Sequence, residues 1–107
     1  MNAHTIDFSK FGGPVFSGRA RGIAARAEHR LDDLDKSSES LVDVKIPQDA
    51  YTVTSSFFLG LFGPSVIRAG NRERFKEKFH FDDVPEFLND DIDQYISIAL
   101  QGRDLFK

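Results

Sequence analysis

The alternation of strand-like and helix-like segments predicts an α/β domain, with a small mostly parallel or mixed sheet of about four strands covered by about three helices. Three observations carry that expectation. Residues 41–46 (Leu-Val-Asp-Val-Lys-Ile) are β-branched and nearly alternating, the strongest strand signal in the chain. Residues 17–35 and 55–69 repeat apolar positions at helical spacing. The chain is 107 residues long, 40% hydrophobic and 29% charged, which suits one globular core, so residues 1–107 read as a single domain.

In chain order, His4 to Phe8 alternates as a short strand, and Gly12-Gly13-Pro14 breaks it into a loop. Ser17 stands where an N-cap would open a helix reaching about Asp35, with Ala20, Ile23, Ala24, Ala27, Leu31 and Leu34 on its apolar face. Lys36 to Ser40 is a polar connector to the 41–46 strand, which is expected in the sheet interior with both faces covered. Pro47 to Ala50 turns the chain, and Tyr51 to Thr54 is briefly extended. Ser55 or Ser56 then starts a helix bearing Phe58, Leu61, Phe62, Val66 and Ala69 on one side, closed by Gly70. Pro64 lies inside it and is expected to kink or interrupt it, because the Gly60 carbonyl loses its helical donor. Arg72 to Lys78 reads as a helical turn passing into a strand at Phe79-His80-Phe81. A last helix from Pro85 or Asn89 places Phe87, Leu88, Ile92, Tyr95, Ile96 and Ala99 in register.

Several function classes are disfavoured by composition. A net charge of −3 gives no overall field for nucleic acid or an anionic membrane. The absence of cysteine removes disulfides, thiol catalysis and thiolate metal sites. No apolar run approaches the ~18 residues of a membrane span, and the first residues carry no secretory pattern, so a cytoplasmic protein is expected. Eleven phenylalanines and no tryptophan place much of the apolar area in rings without a polar handle, as in a compact interior.

From 41 to 62, a strand leads to Thr54-Ser55-Ser56-Phe57-Phe58, which opens a helix continuing Leu59-Gly60-Leu61-Phe62-Gly63-Pro64-Ser65. With the upstream loop 12–18 and the downstream 75–81 stretch, most of the chain resembles the bacterial STAS-like domain family. Related STAS domains include anti-sigma-factor antagonists, in which a serine at this helix start is phosphorylated by a histidine-kinase-like ATPase. The resemblance implies a regulatory module without enzymatic activity of its own. It also implies a protein partner, such as an ATPase of that kind or an anti-sigma-type kinase. Ser56 is the position that matches the phosphoserine, and Ser55 is beside it. Thr54 stands where that pattern has Asp, and Phe57 where it has Gly.

Thr54, Ser55 and Ser56 are therefore read two ways, as N-caps or as a phosphoacceptor site whose new charge the helix dipole favours. Thr54, Phe57 and Phe58 are the candidate interface, since exposed aromatic patches mark contact surfaces. A separate anion or nucleotide site is suggested by Gly12, Gly13, Ser17, Arg19 and Arg21. Here arginines crowd a helix start, where the dipole disfavours cations, beside a glycine loop. Solvated arginines are the plainer alternative. A hydrolase triad could draw on Ser56, His80 and Asp82, but no Gly-x-Ser-x-Gly elbow surrounds Ser56. His29 with Asp32 and Asp33 reads as a surface charge cluster; neither a metal site nor a cofactor site is expected.

Overall fold

The computed structural model describes the backbone of residues 2–37 and 40–105, with side chains described for 4–37 and 40–102. Ser38 and Glu39 of the expected connector lie outside the described residues. In order come β1 (Asn2–Asp7), a 3-10 turn (Phe8–Phe11), β2 (Val15–Phe16), α1 (Arg19–Glu28), α2 (Leu31–Lys36) and β3 (Ser40–Lys45). There follow β4 (Thr52–Val53), α3 (Ser55–Ala69), α4 (Arg72–Lys78), β5 (Phe79–Asp83), a second 3-10 turn (Glu86–Leu88) and α5 (Asn89–Leu105).

The fold is α/β, as the alternating pattern predicts, but its strands divide differently. β1, β3 and β5 form a three-stranded parallel sheet with β3 central, and β2 pairs with β4 in a separate parallel ribbon. Among the described residues there are thus five strands in two sheets and five α-helices, against expectations of about four and about three.

Central placement of β3 is as expected, and Val42 and Val44 are buried. Coverage of both faces is not. Register aligns Ile6 with Val44 and Phe79 with Val42 on the buried face, while Thr5, Asp43 and His80 line the other and are half-buried or exposed. The alternation of Asp43 and Lys45 with valines is the signature of a sheet with one wet face.

α3 is the spine of the helical layer. Phe57, Phe58, Leu61, Phe62 and Val66 are buried along it, and Phe62 lies 5.7 Å from Phe79 and 6.2 Å from Phe75, ring centre to ring centre. Edge-to-face rings at such spacings supply packing beyond area burial. α3 is helical throughout Ser55–Ala69, Pro64 included, so the interruption allowed for at this proline does not occur. Pro64 is exposed, so its ring displaces no core residue. Gly63 before it has no Cβ to strike the proline ring, which removes the usual barrier to helical geometry there.

The helix expected over 17–35 is two helices. Arg30 adopts a left-handed conformation (φ 55°) that ends one helical direction and starts the next. Gly18, not Ser17, is the N-cap of α1. The apolar face read from the sequence is also displaced: Ala20, Ile23, Ala24 and Ala27 are exposed, and Gly22, Ala25 and Arg26 are buried. The reason is the crossing with α3. A Cβ on Gly22 would sit 2.3 Å from the Phe57 carbonyl oxygen, and one on Gly60 would sit 2.5 Å from that of Arg19. Backbone contact at this distance selects glycine at the crossing point, so the buried face of α1 is the one that carries Gly22. Phe87, placed in register with the last helix, lies in the preceding turn and is exposed.

Candidate functional site

The start of α3 is capped by Thr54, whose Oγ1 accepts from the Phe57 amide at 3.2 Å. Its own amide donates to the Phe16 carbonyl at 2.9 Å, which ties the helix start to the β2–β4 ribbon. With Thr54 as the cap, Ser55 is half-buried in the first turn and Ser56 is exposed. Phe57 and Phe58 do not form the expected interface. Both are 1% exposed, turned into the ring cluster with Phe8, Phe16 and Tyr95. Their burial follows from the period of α3: the positions after Ser56 point at the sheet.

The candidate anion site also comes apart. Arg21 does reach the glycine loop, but it donates to the carbonyls of Phe11 (2.9 Å), Gly12 (3.0 Å) and Val15 (3.3 Å). A loop that turns carbonyls towards an arginine is the opposite of one that turns amides towards an anion. Arg21 also lies over the Phe57 ring, 5.9 Å from its centre. Arg19, on another face of α1, borders a different surface, and Ser17 makes no cap. Gly12, Gly13, Ser17, Arg19 and Arg21 are therefore not gathered into one site.

The histidines are placed differently from the sequence reading. His80 lies against the Glu77 carbonyl (3.0 Å) and Asp43 (3.5 Å), and no hydrogen bond among the described residues joins it or Asp82 to Ser56. His29 is not part of a surface cluster with Asp32 and Asp33. Its Nδ1 lies 2.8 Å from Nε2 of His4 on β1, with the Phe11 ring 5.5 Å away. Burial, and then the charge of His4, lowers the pKa of His29 below its ordinary value. No group of three metal-ligating side chains occurs among the described residues.

Two features lay outside the sequence reading. The first is a buried polar network between α1, α2 and α3. Arg26 donates to Asp32 and Asp35 (each 2.7 Å from Nη2), to the Leu61 carbonyl (2.9 Å) and to Ser65 (2.8 Å). Ser65 in turn donates to Asp35 at 2.8 Å. Beside it, the Lys78 ammonium donates to the carbonyls of Leu34 and Ser37, where a cation complements the end of α2. Burial lowers the pKa of Lys78, and the nearby Asp35 opposes that shift. No buried side-chain polar atom among the described residues is left unpaired.

The second is a groove of about 430 Å³ where α1, α3 and α5 meet. Ile23, Ile67 and Ile98, one from each helix, stand around it 53%, 37% and 38% exposed. Gly60 and Gly63 line it without side chains, and Arg19 is the one charged lining residue among the described residues. Periodicity could not find it, because Ile67 and Ile98 fall off the core stripe and look like isolated surface residues until the three helices assemble. Comparisons with protein-family models, with curated proteins and with solved structures each give no match. No helix among the described residues is long and apolar enough to cross a membrane.

Proposed function

We propose that the chain is a STAS-like regulatory module that works in the cytoplasm by binding a protein partner, without catalysing a reaction of its own. The observation that supports this reading is the α1–α3–α5 groove. Three isoleucines, each more than a third exposed, converge there instead of scattering over the surface. Clustered exposed apolar side chains of this kind mark contact surfaces, whereas single ones carry no such meaning. The contact surface is thus moved from the buried Phe57–Phe58 end to the groove.

Ser56 is the regulatory position in this reading. Thr54 performs the capping, so the exposed Ser56 hydroxyl is left for a kinase of the histidine-kinase-like ATPase type. A phosphoryl group would add about −1.5 to −2 charge in the first turn of α3, where the helix dipole favours it. The test is a quantitative pull-down from the source organism with mass spectrometry of position 56. Ile67→Glu should lose the partner, Ser56→Ala should retain it without phosphate, and Ser56→Asp should change the amount retained. Equal recovery by the parent and Ile67→Glu would refute the groove as the contact surface.

A further inference from the structure

Resting on the partner-binding reading, we propose that the groove takes an amphipathic α-helix of the partner, seated by apolar side chains and oriented by an acidic residue that meets Arg19. The argument begins with the walls. α1, α3 and α5 are helices, whose interior amides and carbonyls are used within each helix. The exceptions are the Gly60 carbonyl, which has no regular helical donor because Pro64 lacks an N–H, and the groups at the groove's two ends, the first-turn amides of α1 at Arg19 and the last-turn carbonyls of α5 at Gly102. No strand edge among the described residues lines the groove. An extended segment lying along the groove would bury most of its backbone groups between those ends with nothing to bond, a cost avoided by a segment that satisfies its own backbone. A helix does so.

Size and floor agree. A volume of about 430 Å³ matches a site for a few aliphatic side chains. Gly63 contributes no side chain, and a Cβ built there would meet nothing nearer than Leu59 at 3.8 Å. The floor is therefore open at its centre, and the apolar residues of an incoming helix can approach the α3 backbone closely. Leu59, Ile67 and Ile98 then flank them.

Charge sets the orientation. Arg19 is exposed, and no hydrogen bond or ion pair among the described residues engages its guanidinium. The other arginines of α1 are committed, Arg21 to loop carbonyls and Arg26 to the buried network. A carboxylate one turn from the apolar residues of the partner helix would pair with Arg19 beside an apolar wall. There a charge-assisted bond is stronger than in open water.

The test uses a random peptide library displayed on phage, selected on the parent protein and counter-selected on Ile67→Glu/Ile98→Glu. Both sites are solvent-exposed, and the double variant is used only once its melting temperature is shown to match the parent. The expected result is enrichment of peptides with apolar residues at i, i+3 or i+4, and i+7, with Asp or Glu adjoining that face. A synthetic copy of the leading peptide should become helical on binding. It should lose about fivefold or more in affinity to Arg19→Glu, and a Lys-for-acid version of the peptide should recover the loss. Enriched peptides that are proline-rich, extended or basic would overturn the proposal, as would a failure to enrich any groove-dependent peptide. In that event, decanoate binding at the groove, or self-association lost in the double variant, would name a small acid or a second copy as the occupant. The pull-down with Ile67→Glu separates the two levels: loss of the partner there, with no acidic helical peptide selected here, keeps the binding module and rejects the helix.

Discussion

Replacing Arg26 with methionine should be among the most damaging single changes available in this chain. The Arg26 side chain is 8% exposed and that of Asp35 is 6% exposed, so removing the guanidinium leaves a carboxylate in a nearly dry site with only Ser65, among the described residues, to donate to it. Asp32, 80% exposed, regains water and contributes little to the loss. Deleting one partner of a buried ion pair costs about 3–5 kcal/mol, much of it the burial of the remaining charge. Against a domain stability of about 5–15 kcal/mol, that is a third or more of the total in most cases. Urea unfolding followed by circular dichroism reads it directly: with a slope of about 2 kcal/mol per molar, the midpoint should fall by about 2 M. Adding Asp35→Leu to Arg26→Met should restore much of the loss, because the stranded charge is then gone. A loss below about 1 kcal/mol for Arg26→Met, the size expected of a solvated surface pair, would refute the reasoning.

Other perturbations test separate parts of the fold. Gly60→Ala should lower the melting temperature by about 10 °C, since forcing the α1–α3 crossing apart costs about 1–3 kcal/mol and exceeds the gain in helix propensity; a rise would show that the helices are not in backbone contact. Tyr95→Phe removes the 2.8 Å bond from the Tyr95 hydroxyl to the Val53 carbonyl and should cost about 1 kcal/mol in the same unfolding assay. His29 gives a pH dependence whose sign is set by its lowered pKa. The unfolded chain, with His29 near its ordinary value of 6.5, takes up the proton first as pH falls. Stability should therefore drop as pH falls below about 6.5 and level off once the folded form is protonated too. His29→Asn should flatten that part of the melting-temperature profile between about pH 7 and pH 5.5, and an unchanged slope would reject the assignment.

Elements governed by local chemistry were legible in the sequence. The alternation in β3, the helical spacing of Phe58, Leu61, Phe62 and Val66, the Gly70 cap and the passage from α4 into β5 all appear where the pattern puts them. Where α1 is concerned, side-chain character is a poor guide to burial, because the α1–α3 crossing is decided by how close two backbones come. That crossing buries Gly22 and leaves Ile23 at the surface. It also brings Arg26 to Ser65 and Asp35, a network joining positions 39 and 9 residues away in the chain, with no local signal to announce it. Of the candidates read from the sequence, Ser56 is exposed at the start of α3 and Arg19 borders the groove. Phe57 and Phe58 look like an exposed pair until the helix phase is known, and Ile67 and Ile98 gain meaning only when α3 and α5 stand side by side.

The claim that a partner meets the α1–α3–α5 groove is tested most directly by placing a photo-reactive phenylalanine analogue at position 67 and irradiating cells of the source organism. The same analogue at Tyr51, 76% exposed and outside the groove lining, serves as the comparison. A discrete cross-linked product from position 67 that disappears when Ile23→Glu and Ile98→Glu are added, with none from position 51, is the predicted result. A product from position 51 alone, or one from position 67 that is indifferent to the two glutamates, would contradict it.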